Sequence, residues 1–345
     1  MTEKVSIIVP VYNNANSLIQ SLRSLFEQTL NEIEIIAVND ASTDQSGDIL
    51  DELAQRESRL NKIHLRENVG VHETRSAGLR VAKADYIGFL DADDFAKPDM
   101  FFQLHRALTL NQADIAICGA DLVTPHRRFI ATKVKFPRSE TVSKRIFGTF
   151  CDTGFGTGTL WNKLYRRDII LKHGQISFRR RQESSEDTLI NIGCFMNAKK
   201  VQLVKGQFVD YVLHQNSATQ TINSTTSFVR MLGAYSEAVN TYRDQGDVVL
   251  EKITNLYSKQ FDYKCYWVNE ISELYRYEPE LIDSMLSLAQ QYPIGLAALL
   301  NRGPITNTKK PSIKRSVKTW IGLSLSIPKI CVQLLWKGIC RKSFQ

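Results

Sequence analysis

No acidic residue follows Asp283, while ten basic ones fall between Arg302 and Lys342. Residues 1–283 therefore hold 34 Lys+Arg (44 less 10) against 36 Asp+Glu, a net of −2, and the formal +8 of the whole chain belongs to its last segment. A polyanionic partner would meet that tail and not the main body. Cysteine is sparse and unpatterned: Cys118, Cys151, Cys194, Cys265, Cys331 and Cys340 form no CxxC pair and no metal-ligand spacing. That argues against a disulfide framework or a structural zinc and suits a reducing compartment. The apolar run in MTEKVSIIVPVYNN is too short for a signal peptide and continues into a strand, so the expectation is a cytoplasmic protein. Internal repeats and long low-complexity tracts are missing as well. With 43% hydrophobic and 23% charged residues the composition excludes global disorder, and 345 residues suffice for one large domain or two ordinary ones.

What is present is an alternation of short β-rich runs with helical patterns. Val5–Pro10, Ile33–Asn39, Lys62–Leu65, Tyr86–Leu90 and Asp114–Gly119 read as strands. The runs that are apolar on both faces suit a parallel sheet covered by helices. Ser17–Gln28 places Leu18, Leu22, Leu25 and Phe26 on one helical stripe. Ser42 or Thr43 can cap a second helix, Glu73–Lys83 supplies a third, and Pro98 fits the first turn of a fourth over Asp99–Leu110. This order predicts a doubly wound α/β sheet, in which ligands bind beyond the carboxyl ends of the strands. Beyond about residue 220 the pattern turns helical, over 227–244, 248–276 and 279–290. The aromatic residues at 257, 261, 263 and 266 read there as core.

The stretch DYIGFLDADD, residues 85–94, runs a core strand into Asp91, Asp93 and Asp94. Carboxylates this close repel, and each resists burial unless something cationic compensates it. They sit in water at a turn or they hold a cation. Two other strands end in polar clusters, Pro10-Val-Tyr-Asn13 and Asn39-Asp-Ala-Ser-Thr-Asp44. Three clusters at the ends of strands in one parallel sheet share one edge, which favours the cation.

With VSIIVPVYN, VNDASTD, NVGVHETRSAGL, YIGFLDADD, WNKLYRR at 161–167 and SEDT at 185–188 in order, the first 220 residues or so resemble family 2 glycosyltransferases. The resemblance implies an α/β GT-A fold, a Rossmann-like, mostly parallel sheet flanked by helices, here with a C-terminal helical region that the resemblance does not cover. It implies an inverting, metal-dependent transfer from a UDP-sugar donor to a hydroxyl of a glycan or lipid-linked acceptor, with no nucleic-acid partner. Pro10, Tyr12, Asp40, Arg75, Asp91 and Ala92 would bind the nucleotide-sugar. Tyr12 can lie against the base, and Asp40 can accept from the uracil N3–H, a donor that cytosine lacks. Arg75 would face the diphosphate or the Asp cluster. In the family's DxD the first Asp, here Asp91, leans towards the ribose and the second, Asp93, binds Mn²⁺ or Mg²⁺. Two residues apart in extended chain, they would leave on one side.

On the acceptor side the resemblance makes Asp187, in the ED pair, the general base, with Glu186 its neighbour and nearest competitor; the serines before them can cap that helix. Trp161 resembles the family's acceptor-site aromatic, though core packing explains it nearly as well. His214 falls where some relatives place a metal or diphosphate contact. Arg179–Arg181 reads as a solvated run, and Gly154–Gly158 (GFGTG), which does not fit GxGxxG, reads as a mobile loop leading into the acceptor site. The expected organisation is a catalytic domain over 1–220, with a nucleotide-binding half to 120 and an acceptor-binding half from 121. A helical extension over 221–300 and a linker over 301–311 follow. The basic amphipathic tail, 312–345, has an uncharged run of ten residues between Lys318 and Lys329, too short to span a bilayer. It suits the surface of an anionic leaflet instead, on the inner face of the cell membrane. The rival readings are a DxD-type phosphohydrolase, which would want its DxD after the first strand, and a catalytically silent binding scaffold.

Overall fold

The computed structural model describes residues 3–182, 185–213, 224–262 and 279–300. His214, the linker over 301–311 and the basic tail over 312–345 lie outside the described residues, as do Ser184 and the aromatic positions 263 and 266. The chain divides into two compact units, Met1–Ser217 and Ala218–Gln345.

The first unit is built on one ten-stranded sheet. β1 (Val5–Val11) and β2 (Ile33–Asn39) are buried at every position, as strands covered on both faces must be. β2 pairs in parallel with β1 and with β3 (Leu60–His64), and β1 pairs in parallel with β4 (Tyr86–Phe89). The helices between them, α1 (Leu18–Phe26), α2 (Ser46–Arg56) and α3 (Val71–Val81), cover this half. Of the predicted stripe on α1, Leu18, Leu22 and Leu25 are fully buried, each contributing roughly 1.5–3 kcal/mol, and Phe26 is half-buried. Ser6 in β1 and Glu34 in β2 are polar side chains buried inside these strands. They bond to each other and to the backbone N–H groups of Ala84 and Lys83, tying the loop before β4 to the sheet.

Beyond β4 come the two-residue β5 (Phe95–Ala96), α4 (Met100–Asn111), β6 (Ile115–Val123), β7 (Phe129–Val134) and β8 (Glu140–Val142). Then follow α5 (Ile146–Cys151), β9 (Lys163–Arg166), α6 (Arg167–Gly174), α7 (Glu186–Asn197) and β10 (Val201–Val212). The strand order is β3-β2-β1-β4-β9-β6-β10-β5, with β7 on β6 and β8 on β10. β9 runs antiparallel between β4 and β6, and β10 lies parallel to β6. The sheet is therefore mostly parallel, and β1, β2, β4, β6 and β10 all deliver their carboxyl ends to one edge. Gly119 sits at a close backbone crossing: a Cβ there would lie 2.7 Å from the carbonyl oxygens of both Gly206 and Val134.

Two local expectations are corrected. Neither Ser42 nor Thr43 caps α2, which starts at Ser46. Ser42 Oγ instead accepts the Asn13 N–H at 3.0 Å, and Asp44 Oδ1 accepts the Ser46 N–H at 2.9 Å. Ser185 precedes α7 in the left-handed region, φ 64°, with no side-chain cap bond; a capping residue typically takes the β region instead.

The described residues of the second unit form α8 (Ser224–Tyr242), a 3₁₀ turn at Arg243–Gln245, α9 (Asp247–Asp262), α10 (Pro279–Gln291) and α11 (Pro293–Leu300). Leu232, Tyr235, Ile253, Tyr257, Met285 and Leu296 are fully buried within it. The Tyr235 hydroxyl meets Thr254 Oγ1 at 2.6 Å. Tyr257 is core, as its spacing predicts. Among the described residues no helix is long and apolar enough to cross a membrane.

Candidate active site

The loops after β1 and β2 are knitted together by side chains that return to backbone. Asn13 Oδ1 accepts the Thr43 N–H at 2.8 Å, Ser46 Oγ accepts the Asn14 N–H at 2.8 Å, and Asp44 Oδ2 accepts the Ala15 N–H at 3.0 Å. Asn13 itself takes φ 54°, a left-handed conformation that asparagine tolerates. Pro10 is buried in β1, and Tyr12, just beyond it, stands 47% exposed at the sheet edge. Asp40 is buried, its two oxygens accepting the N–H groups of Val69 (2.8 Å) and Gly70 (2.9 Å) at the start of α3. Each oxygen keeps a second lone pair, so the contact with α3 places Asp40 without exhausting it.

Arg75 is the centre of the site. It projects from α3 with 3% of its side chain exposed. Nη2 donates to Asp91 Oδ1 at 2.7 Å, and Nη1 donates to Glu186 Oε1 at 2.8 Å and to Asp187 Oδ1 at 2.6 Å. One guanidinium thus joins the carboxyl end of β4 to the first turn of α7, a use of the rigid fork that a lysine could not make. Burial alone would lower the pKa of Arg75, but the three carboxylates hold it above its ordinary value. Asp187 is also raised, but in its case the rise disfavours the charged form. Burial raises it most, Arg75 opposes that, and Glu186 adds to the rise, leaving it at about 7. Its second oxygen accepts the Leu160 N–H at 3.1 Å.

The Asp91–Asp94 segment is a turn, with the Asp94 N–H on the Asp91 carbonyl at 3.0 Å. The extended geometry expected for Asp91 and Asp93 is corrected: β4 ends at Phe89 and the chain reverses at once. The three carboxylates meet different fates. Asp91 is paired with Arg75. Asp94 is 1% exposed, accepts the Val212 N–H at 2.8 Å, and leaves Oδ2 without a partner. Burial, reinforced by the charges of Asp93 and Asp91, pushes its pKa well above the usual carboxylate range. Asp93 is half-buried, between Asp91, which is paired with Arg75, and the buried Asp94. Ala92, between them, is buried, and its carbonyl accepts the Ser17 hydroxyl at 3.1 Å.

A small hard cation suits this donor set. Mg²⁺ or Mn²⁺ is commonly held by one or two carboxylates, with water and substrate phosphates completing its shell. Asp93 supplies such an oxygen, and the unpartnered Asp94 Oδ2 lies in the same turn. Among the described residues no group of three or more His, Cys, Asp or Glu converges into a cage. The residues fit a cation shared with a bound diphosphate.

On the other side of Asp187, Trp161 is 2% exposed and stacked on Tyr211, ring centroids 5.4 Å apart. The structure therefore places the predicted acceptor aromatic in a packed stack, with Lys133 Nζ 3.9 Å over the outer ring. The Gly154–Gly158 loop is anchored, against expectation. Phe155 packs on Phe195, Asn191 Nδ2 donates to the Gly158 carbonyl at 2.8 Å, and a Cβ on Gly156 would lie 2.7 Å from Val134 Cγ1. Arg181 is also engaged, donating to the Asn68 carbonyl at 3.1 Å and to the Asn68 side chain. His72 reaches the same segment through Nε2 and the Ile176 carbonyl, 2.6 Å apart. The residue that sequence reasoning missed is Lys163, wholly buried one residue after Asn162. Its signal was a lysine set among apolar neighbours in LWNKLY.

Residues 6–174 match the model of Glycosyl transferase family 2. An uncharacterized glycosyltransferase of Bacillus subtilis, EpsJ, is 33% identical over 224 residues, covering 64% of this chain and 64% of its own length. The chain thus spans a little under two thirds of that relative. A cholesterol galactosyltransferase of Borreliella burgdorferi is 28% identical over 264 residues, 70% of this chain and 71% of that protein. Among solved structures, S. aureus TarS 1-349 in complex with UDP-GlcNAc superposes with a TM-score of 0.64 at 21% identity, over 86% of this chain and 83% of that one. At that identity the likeness concerns the fold.

Replacing Arg75 by methionine leaves three carboxylates without their shared cation. The expected loss is about 3–5 kcal/mol of unfolding free energy by urea titration. The loss should be smaller at acid pH. A carboxyl whose folded pKa is raised destabilises progressively as pH rises from its unfolded value, about 3.9, to its folded one, and Asp187, already at about 7, rises further once Arg75 is gone.

Proposed function

The chain belongs to glycosyl transferase family 2, and we propose that it moves a sugar from a UDP-sugar to a hydroxyl of a glycan or lipid-linked acceptor. The proposed setting is the assembly of a bacterial surface polysaccharide, with inversion at the anomeric carbon. The observation that carries this reading is Arg75, which binds the DxD carboxylate Asp91 and the ED carboxylate Asp187 at once. Such a bridge sets a donor-side and an acceptor-side group around one reaction centre.

Asp187 acts as general base. A carboxylate with a pKa near 7 is a better proton acceptor than an ordinary one and is still substantially ionised at neutral pH. As the acceptor oxygen bonds to the anomeric carbon, the bond from that carbon to the UDP oxygen breaks, UDP leaves with the electron pair, and the acceptor proton passes to Asp187. Tyr12 stacks on the base, Asp40 accepts from uracil N3–H, and Pro10 and Ala92 form the walls of the nucleotide site. Asp91 meets the ribose, and Arg75 adds positive charge where negative charge develops. When Mn²⁺ or Mg²⁺ is bound, it supplies charge neutralisation at the diphosphate. Asp93 would hold it, with His214 the further contact the family resemblance suggests. Trp161 and Glu186 contribute to the acceptor side. The sequence-based division stands as part of the proposal: nucleotide-binding and acceptor-binding halves within 1–220, then a helical extension and a tail. A lipid-linked acceptor would be met at the membrane. The proposal accordingly places the enzyme in the cytoplasm, with residues 312–345 on the anionic inner leaflet. The galactosyl transfer to cholesterol named for the Borreliella relative is consistent with an acceptor of that kind.

Three outcomes test this reading. Asp187→Asn keeps UDP-sugar affinity while transfer falls by roughly a hundredfold or more; a collapse of donor affinity with turnover intact would make Asp187 structural. Asp93→Ala loses metal-dependent transfer, a change of several kcal/mol in transition-state stabilisation; full activity of that variant in EDTA contradicts the assignment. Removal of residues 312–345 leaves activity on a soluble acceptor analogue unchanged and abolishes sedimentation with anionic liposomes. Equal pelleting of truncated and full-length protein would sink the membrane role.

A further inference from the structure

Lys163, in β9, has no solvent-exposed surface, and the chemistry above gives it no part. Burying an ammonium costs several kcal/mol unless it is well paired, so its position calls for a physical reason. Its Nζ donates to the Thr157 carbonyl at 3.1 Å, to the Thr159 carbonyl, and to Asn162 Oδ1 at 2.8 Å. Three acceptors match the three N–H donors of a charged ammonium, one more than a neutral amine can supply.

The loop that Lys163 gathers reaches Asp187 directly. Leu160, next in chain after Thr159, gives its backbone N–H to Asp187 Oδ2 at 3.1 Å. Asn191, one turn along α7 from Asp187, donates to the Gly158 carbonyl at 2.8 Å and to the Thr159 carbonyl at 3.3 Å. A Cβ on Gly158 would lie 2.5 Å from Thr188 Oγ1, so the loop is seated on the helix with no slack. Lys163 holds the loop from the sheet side, and Asn191 holds it from the helix side.

We propose that Lys163 is a positioning residue for Asp187: its ammonium fixes the 157–160 loop so that the Leu160 N–H is aimed at the carboxylate, and its charge favours the ionised form. This rests on the reading of Asp187 as the general base. The groups that bear on Asp187 are Arg75 and His72 of α3, Glu186 on its own helix, Asp91 at the end of β4, and Lys163 and Tyr165 of β9. Lys163 is faced by Asp187 and by Cys118 of β6. Burial pushes Lys163 down to about 7, with Asp187 opposing the fall. Asp187 loses its proton as pH rises, and Lys163 loses its own over the same region. The ionised pair that activity needs is therefore confined to a window around neutrality. The acid limb belongs to Asp187 and the alkaline limb to Lys163.

Lys163→Met keeps the length of the side chain and removes its charge and donors. In the full-length protein kcat should fall by about tenfold or more while the donor KM changes little. The acid limb of the kcat/KM profile should move to higher pH by about one unit, and the alkaline limb should vanish. Lower kcat with both limbs unmoved, or weakened donor binding alone, would overturn the proposal and leave Lys163 a packing residue. A second readout needs no turnover: carbon-13 titration of the Asp187 carboxyl, identified by its loss in Asp187→Asn. A higher Asp187 pKa in Lys163→Met supports the proposal, and an unchanged one overturns it. Failure of the transferase reading would show separately, as wild-type protein that transfers no sugar. Should Lys163→Met not fold, amide exchange at Leu160 in the wild type decides. Its protection, corrected for intrinsic rate, should drop as pH rises through the Lys163 transition, and constant protection overturns the proposal.

Discussion

Asp91 follows the end of β4, Asp187 lies in the first turn of α7, and the guanidinium of Arg75 lies between them. Three carboxylates within 2.8 Å of one buried cation form an arrangement that neither side would tolerate alone. A lone carboxylate at that depth would be forced to take a proton, and a lone guanidinium, which cannot give one up, would be driven towards water. Together they are compatible with burial, and they fix the distance between two segments far apart in sequence. The rest of the site is arranged around this contact. The loop after β2 is locked to the start of α3 through Asp40, which sets the helix that carries Arg75. The 157–160 loop is locked to α7, which carries Asp187.

The concentration of acid at the end of β4 is relieved in more than one way. Asp91 shares a counter-ion, and Asp94 accepts the Val212 N–H, while burial and its acidic neighbours raise its pKa well above the usual range. Asp93 remains half-buried in the same turn, where a divalent cation and a diphosphate would complete the charge balance. Buried groups whose pKa values are moved towards neutrality weaken a fold, because each destabilises it on one side of its transition. Asp187 of α7 and Lys163 of β9 both carry that cost, at about 7 each. Such a concentration of perturbed groups is what a site of proton transfer requires.

Much of this was legible in the sequence because it rests on local pattern. Runs such as VSIIVPV and IEIIAVN are apolar on both faces, which only covered parallel strands can be, and the ends of such strands share one edge. Asp91 and Asp93 could therefore be placed with the other strand-end clusters before any coordinates, whereas Arg75 and Asp187 were joined to them by the family resemblance alone. What was hidden depends on long-range register. Nothing in KLYR announces a strand running antiparallel between β4 and β6, and that insertion brings Lys163 beneath Asp187. The hydroxyls of Ser42 and Thr43 looked like helix caps because capping is the commonest use of such residues before an apolar run; Ser42 is instead bonded to the β1 loop. The glycines of GFGTG suggested freedom, but two of them are there because β7 and α7 leave no room for a side chain.

The most direct test of the whole account is UDP release by the full-length protein, measured across a panel of UDP-sugars with Mn²⁺ or Mg²⁺ and without added acceptor. Slow hydrolysis of at least one UDP-sugar, with UDP as the nucleotide product, is what the account predicts. Release of inorganic phosphate from sugar phosphates, with no UDP formed from any donor, would contradict it.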